Sequence, residues 1–251
     1  MTLLSVTKNA MKSKIKSSKV NRAWLNDHVN DTYVKLATLE GFRSRAAYKL
    51  KEIDLALDLI KPGQLVVDLG SAPGAWSQYV RRKMSPKTAT GGGAAAGELK
   101  GSIIALDLLP MESLEGVQFL LGDFRDAEVA QRLADQMQGR QADVVISDMA
   151  PNLSGIASAD AARVEDLVEL ALEFAQTHLK ISGTLVAKVF HGAAYEHLVK
   201  RFKQTFVVVK TFKPKASRDK SAETFLTGTT LKSAQSPTGS TSIRANPPDS
   251  P

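Results

Sequence analysis

Lys188 interrupts the apolar run Leu185 to Phe190, where a buried parallel strand would ordinarily continue with aliphatic residues. A lysine in such a place is expected to be buried and partnered, and a shielded amine is a candidate proton acceptor. Three aspartates follow three other apolar runs: Asp107 closes Ile103 to Leu106, Asp123 follows Val117 to Leu121 across Gly122, and Asp148 follows Val144 to Ser147. One such acid is more often a turn former or a helix cap, and Asp123 or Asp126 could cap the helix that comes next. Three together, at the carboxyl ends of successive parallel strands, point to a ligand site along one sheet edge.

The ligand can be narrowed from the first turn. The run Leu65 to Leu69 leads into Gly70-Ser71-Ala72-Pro73-Gly74-Ala75-Trp76, where glycines permit close approach of the backbone to a nucleotide-like molecule. The turn lacks the G-x-G-x-x-G spacing that a dinucleotide's pyrophosphate wants, so S-adenosylmethionine, which has no phosphate, is the better candidate. Asp107 would accept hydrogen bonds from its ribose diol and Asp123 would face the adenine. Trp76 fits core packing or stacking near the methionine end of the cofactor, and a dual role is expected. The Gly/Ala-rich stretch near Gly97 lacks the Gly-Lys-Ser/Thr ending of a phosphate loop, and no serine has an identifiable acid and histidine partner. His191 reads as a solvated loop histidine.

The elements that position these residues alternate. Strand-length runs recur at 65–69, 103–106, 117–121, 144–147, 185–190, 206–212 and 224–227, with helical patterns over 44–60, 76–83, 126–137, 160–179 and 193–203. This predicts an α/β fold with a mostly parallel sheet and helices on both faces. The last two runs are joined by a short basic link, Lys213 to Ala222, with no helical pattern, so an antiparallel pair is expected at the sheet's end.

The 251 residues, 43% of them hydrophobic, suffice for one large domain with loose ends. We divide them into a flexible basic arm over 1–21, a domain over 22–232 with a long Gly/Ala-rich loop at 85–101, and a disordered tail over 233–251. No run nears the roughly 18 apolar residues of a membrane span, and the N-terminus lacks a signal-peptide core, so a cytoplasmic protein with no membrane partner is expected. There is no cysteine, and the four histidines lack zinc-ligand spacing, so no metal is expected. Of the net charge of +7, nearly all the excess sits at Lys8, Lys12, Lys14, Lys16, Lys19 and Arg22, ahead of the first acid, Asp27. A polyanion-binding arm and a solubilising tail fit that run equally well; a transit peptide fits less well, because the run favours lysine over arginine. Arg43, Arg45, Lys210, Lys213, Lys215, Arg218 and Lys220 are further candidates for contacts with such a polyanion, a solvated face being the alternative for the late cluster.

Several motifs in order carry a resemblance. Arg43-Ser44-Arg45-Ala46-Ala47-Tyr48-Lys49-Leu50, Asp68 to Gln78, Asp107-Leu108-Leu109-Pro110-Met111, Gly122 to Asp126, Ser147 to Asn152 and Lys188-Val189-Phe190 resemble the FtsJ/RrmJ family of ribosomal RNA large-subunit 2′-O-ribose methyltransferases over roughly Arg22 to Thr230. The resemblance implies a Rossmann-like methyltransferase fold with a seven-stranded sheet whose last strand is antiparallel. It implies S-adenosylmethionine as donor and a uridine ribose 2′-hydroxyl of large-subunit (23S) ribosomal RNA, in the assembled subunit, as acceptor. It also implies a monomer, the catalytic set Lys49, Asp148, Lys188 and Glu223, and cofactor contacts at Gly74, Trp76, Asp107, Asp123 and again Asp148. The chain departs from the family pattern in the long 85–101 loop, in His191 where a polar amide is expected, and in the tail after Thr230. Two alternatives share these residues or the fold: a 2′-O-methyltransferase of transfer or messenger RNA, and a catalytically silent RNA-binding assembly factor. A free lysine carries its proton at neutral pH, so Lys188 could serve as base only where burial or a neighbouring cation such as Lys49 disfavours the ammonium.

Overall fold

Strands β1 (Leu65–Leu69), β2 (Ser102–Asp107), β3 (Val117–Leu121), β4 (Ala142–Ser147), β5 (Leu179–Phe190), β6 (Phe206–Phe212) and β7 (Glu223–Leu231) form one sheet in the order β3-β2-β1-β4-β5-β7-β6. The computed structural model describes residues 31–85, 97–151, 155–218 and 221–232. The first five strands run parallel, and β7 lies antiparallel between β5 and β6. The chain reverses its winding between β1 and β4, the crevice at which doubly wound sheets bind ligands. The proposed arm, the tail, Lys220 and most of the 85–101 loop lie outside the described residues.

Strand alternation sorts the side chains into two cores. Val67, Leu69, Ile104, Leu106, Val145, Ala187 and Val189 face helices α4 (Ala127–Gln136), α5 (Ala157–His178) and α6 (Tyr195–Thr205). Val66, Ile103, Val144, Ile146, Val186 and Phe225 face α1 (Thr32–Glu40), α2 (Ala46–Leu57) and α3 (Ala75–Lys83). With both faces covered, the central strands are buried along almost their whole length and mostly apolar, which is why they read as runs rather than as alternations.

The helix ends have local causes. Asp126 caps α4 by accepting from Glu128 N at 2.9 Å, so of the two acids weighed as caps it is Asp126 that does this work. Asp31 caps α1 in the same way, at 2.9 Å from Tyr33 N. That helix has no counterpart in the sequence reading: it buries only Ala37 fully, too little apolar periodicity to register. Strand β5 also begins earlier than expected, at Leu179 directly after α5, with an irregular register between Ala142 and Val144.

Candidate active site

Asp68, Asp148, Lys188 and Glu223 share the strand face of Val66, Ile146, Val186 and Phe225, by the period of two. The first three stand at or just beyond the carboxyl ends of parallel strands. Glu223 opens the antiparallel β7 and pairs in register with Phe190, the last residue of β5, so it comes to the same edge. Helix α2 lies over that face and lowers Lys49 onto it.

Lys49, Asp148, Lys188 and Glu223 form two ion pairs. Lys188 Nζ stands 3.0 Å from Asp148 Oδ1 and donates to the Asp148 carbonyl at 2.6 Å. Lys49 Nζ lies 2.7 and 2.8 Å from the two Glu223 carboxylate oxygens. Lys188 is only 8% exposed. Burial pushes the Glu223 carboxyl up, but Lys49, the Ser217 hydroxyl at 2.8 Å and the more distant charge of Lys188 together hold it below its ordinary value. Ser217, Lys213 (to the Glu223 carbonyl at 2.6 Å) and the Ser221 hydroxyl clamp this residue from the β6–β7 link. None of these three was anticipated as a clamp, and short polar residues in a link give no signal for it.

Beside the pairs opens a cleft of about 550 Å³ lined by Gly70, Asp107, Asp123, Phe124, Asp148 and Met149 among others. Asp107 has one oxygen on Ala72 N at 2.8 Å and the other on Leu109 N at 2.7 Å, which fixes its carboxylate while leaving lone pairs for a diol. Asp123 is fixed by a bidentate grip from Arg125, which draws its pKa down. Gly70 has φ +76°, and a Cβ there would come within 2.8 Å of the Met149 backbone, so the β1 turn and the β4 turn touch only because this residue is glycine. A smaller groove of about 370 Å³ at the opposite sheet edge holds none of the predicted catalytic or cofactor residues, but Lys210, expected among the RNA contacts, lines it.

Comparison with known proteins gives this edge its context. The FtsJ-like methyltransferase model matches residues 42–231. The chain belongs to the FtsJ-like methyltransferase family. Over 222 residues, 88% of this chain and 99% of the relative, it is 78% identical to ribosomal RNA large subunit methyltransferase E of Albidiferax ferrireducens. Over 225 residues, 90% of this chain and 99% of the relative, it is 68% identical to the protein of the same name from Variovorax paradoxus. A solved structure described as a ribosomal RNA methyltransferase of Plasmodium falciparum superposes with a TM-score of 0.63 at 27% identity, covering 76% of this chain and 98% of that one.

Not every predicted residue of this FtsJ-like chain reaches the cleft. The Trp76 ring is 2% exposed; it packs on Phe225 and its indole N–H donates to the Ala46 carbonyl at 2.7 Å. Of the two readings of Trp76, the ring takes the core one, and its contribution to the site is to seat the start of α2 one turn before Lys49. Gly74 starts α3 at φ +105° and is covered by Arg43, whose guanidinium donates to the carbonyls of Pro73, Glu112 and Ser113. Arg43 is thus a brace between the β1 turn and the β2–β3 loop. Arg45 is similarly engaged, with Asp31 and the Ala216 carbonyl. Lys210, Lys215 and Arg218 remain exposed.

One group of the edge escaped the reading of site residues. Asp68 is fully buried at the end of β1, with one oxygen accepting from Ser77 Oγ at 2.6 Å and the other without a hydrogen-bond partner among the described residues. Burial, reinforced by the charges of Asp148 and Asp107, raises its pKa to about 7 despite the Ser77 bond. It lay in plain view in the motif, but nothing in sequence distinguishes an acid pointing under the cleft from one pointing into it.

Proposed function

We propose that this protein transfers the methyl group of S-adenosylmethionine to a uridine ribose 2′-hydroxyl of 23S ribosomal RNA in the assembled large subunit. The observation that carries the proposal is the Lys188–Asp148 pair, whose Asp148 lines the cleft, on the same sheet edge as Lys49–Glu223, in a chain so close to relatives named for large-subunit methylation. In this reading the protein works as a cytoplasmic monomer without a metal, and among the described residues no helix is long and apolar enough to cross a membrane.

The cleft suits the donor. Its volume is that of a site for a nucleoside-sized molecule; Asp107 offers fixed acceptors to a ribose diol, Asp123 faces the adenine, and Gly70 lets the backbone close in. Gly74 contributes by shaping the turn and Trp76 by seating α2. When bound, S-adenosylmethionine supplies an electrophilic methyl on a sulfonium.

The chain's own residues do the rest. A ribose hydroxyl is a weak nucleophile, and Lys188 Nζ takes its proton as the new O–C bond forms. The Asp148 carboxylate and carbonyl then hold the ammonium that results. Lys49, kept in place by Glu223, presents a cation to the ribose and its phosphate, and Lys215 and Arg218 extend the positive edge.

Lys188→Ala tests this. Cofactor binding measured by calorimetry should stay within about twofold, while single-turnover methylation of large subunits falls by at least about 100-fold, the scale of general-base catalysis. Undiminished transfer by the variant would remove Lys188 from the mechanism. Parallel assays on free ribosomal RNA and on transfer RNA separate the proposed acceptor from others.

A further inference from the structure

We propose that the ring pair His191–Tyr195 is a stacking platform that holds a nucleobase of the substrate RNA beside the ribose to be methylated; this inference rests on the RNA-methylation reading above. The backbone of His191 is fixed one residue beyond the β5–β7 ladder, where its N–H donates to the Ala222 carbonyl at 2.9 Å. It therefore stands next to the Phe190–Glu223 register pair and three residues, about 10 Å along the strand, from Lys188. The rings of His191 and Tyr195 lie 4.3 Å apart and 33° from parallel. Tyr195 is the anchor: it packs against the core on the α5–α6 side, and its hydroxyl lies 3.3 Å from Thr211 Oγ1. His191 is exposed, and among the described residues its ring has no hydrogen-bond partner.

One face of the imidazole is thus backed by a second, partly buried ring. Next to it Gly192 borders open space, since a Cβ there would meet nothing within 4 Å. Phe190, the residue before His191, places its ring 6.0 Å from Lys188 Nζ, so aromatic side chains lie both at the reacting amine and just beyond it along the chain. Backed aromatic rings, open backbone and the exposed cations of Lys215 and Arg218 are the ingredients with which proteins hold unpaired nucleotides, by base stacking and phosphate attraction. A loop histidine with only a solvating role would not need a ring beneath it. His191 is accordingly a positioning residue for the acceptor nucleotide or its neighbour.

The test compares His191→Ala, His191→Phe and His191→Gln with the wild type, using large subunits as methyl acceptor at saturating S-adenosylmethionine. Loss of one stacked base should lower kcat/KM roughly tenfold in the Ala variant, mostly through KM for the subunit. Cofactor affinity should be unchanged. The Phe variant should recover most of the loss and the Gln variant little of it. Wild-type kcat/KM in the Ala variant, or recovery by Gln equal to that by Phe, overturns the platform. So does an Ala variant impaired on subunits yet binding a single-stranded ribosomal RNA fragment as tightly as wild type, which would make the contact one with a ribosomal protein. A wild-type protein that methylates no RNA would instead overturn the underlying reading.

Discussion

Asp68→Asn should stabilise the protein at pH 8 and leave it nearly unchanged at pH 4. The carboxyl has no solvent exposure, one of its oxygens lacks a hydrogen-bond partner among the described residues, and its pKa is raised from 3.8 to about 7. Because the folded value lies above the unfolded one, the native state holds a proton between those limits that the unfolded chain has released. Stability from this group is therefore full below about pH 4, falls as pH rises to about 7, and is level beyond. A shift of about three units, at about 1.4 kcal/mol each, corresponds to about 4 kcal/mol at pH 8. Asparagine keeps the shape and the acceptor for Ser77 but never ionises. Urea unfolding of both proteins at pH 4.5, 6 and 8 should show the difference between them growing with pH at constant m-value. A difference that is the same at all three pH values would refute the reasoning, because it would mean that Asp68 is ionised or neutral in both states alike.

Three other perturbations have defined outcomes. Gly70→Ala should cost more than the roughly 1–2 kcal/mol of a left-handed alanine, because its Cβ would overlap the Met149 backbone; thermal unfolding together with cofactor titration would show both a lower Tm and weakened binding. Glu223→Gln leaves Lys49 without its carboxylate and should cost about 3 kcal/mol at neutral pH. Since the folded Glu223 pKa is depressed, that contribution exists above the ordinary value of 4.5 and fades as pH falls, so the gap between variant and wild type measured by urea unfolding should narrow in acid. Deleting residues 1–21 removes five lysines; if they meet phosphates of single-stranded RNA, the slope of log affinity against log salt should flatten by up to about 3.5, and an unchanged slope would make the arm a solubilising tail.

What could be read from sequence was whatever depends on period and order. The β1-to-β4 turns, the acids that follow β2, β3 and β4, and the anomaly of Lys188 in an aliphatic run all come from patterns within ten residues, and the sheet places them at one edge. What could not be read depends on partners far apart in sequence. The bracing roles of Arg43 and Arg45 depend on carbonyl and carboxylate partners 14 to 171 residues away. The Trp76 ring could point either way, and Phe225 and the Ala46 carbonyl decide it. Ser217 reaches its role through a link whose sequence has no periodicity at all.

The antiparallel last strand has a chemical consequence as well as a topological one. Glu223 is the first of nine residues in β7. At about 3.3 Å per residue, a parallel β7 in the same slot would carry it about 26 Å away, to the opposite sheet edge. Reversal of this one strand thus delivers an acid from a strand's beginning to the edge where the parallel strands present their ends, and with it the counter-charge for Lys49. The two ion pairs therefore have separate supports. Lys188–Asp148 hangs on the parallel β4–β5 ladder, whereas Lys49–Glu223 depends on docking of the β6–β7 hairpin under α2, through Glu52 on the amides of Lys215 and Ala216 and Ser217 on Glu223. Damage to that link should loosen Lys49 before it disturbs the cofactor cleft, whose walls come from the parallel half of the sheet and from α5.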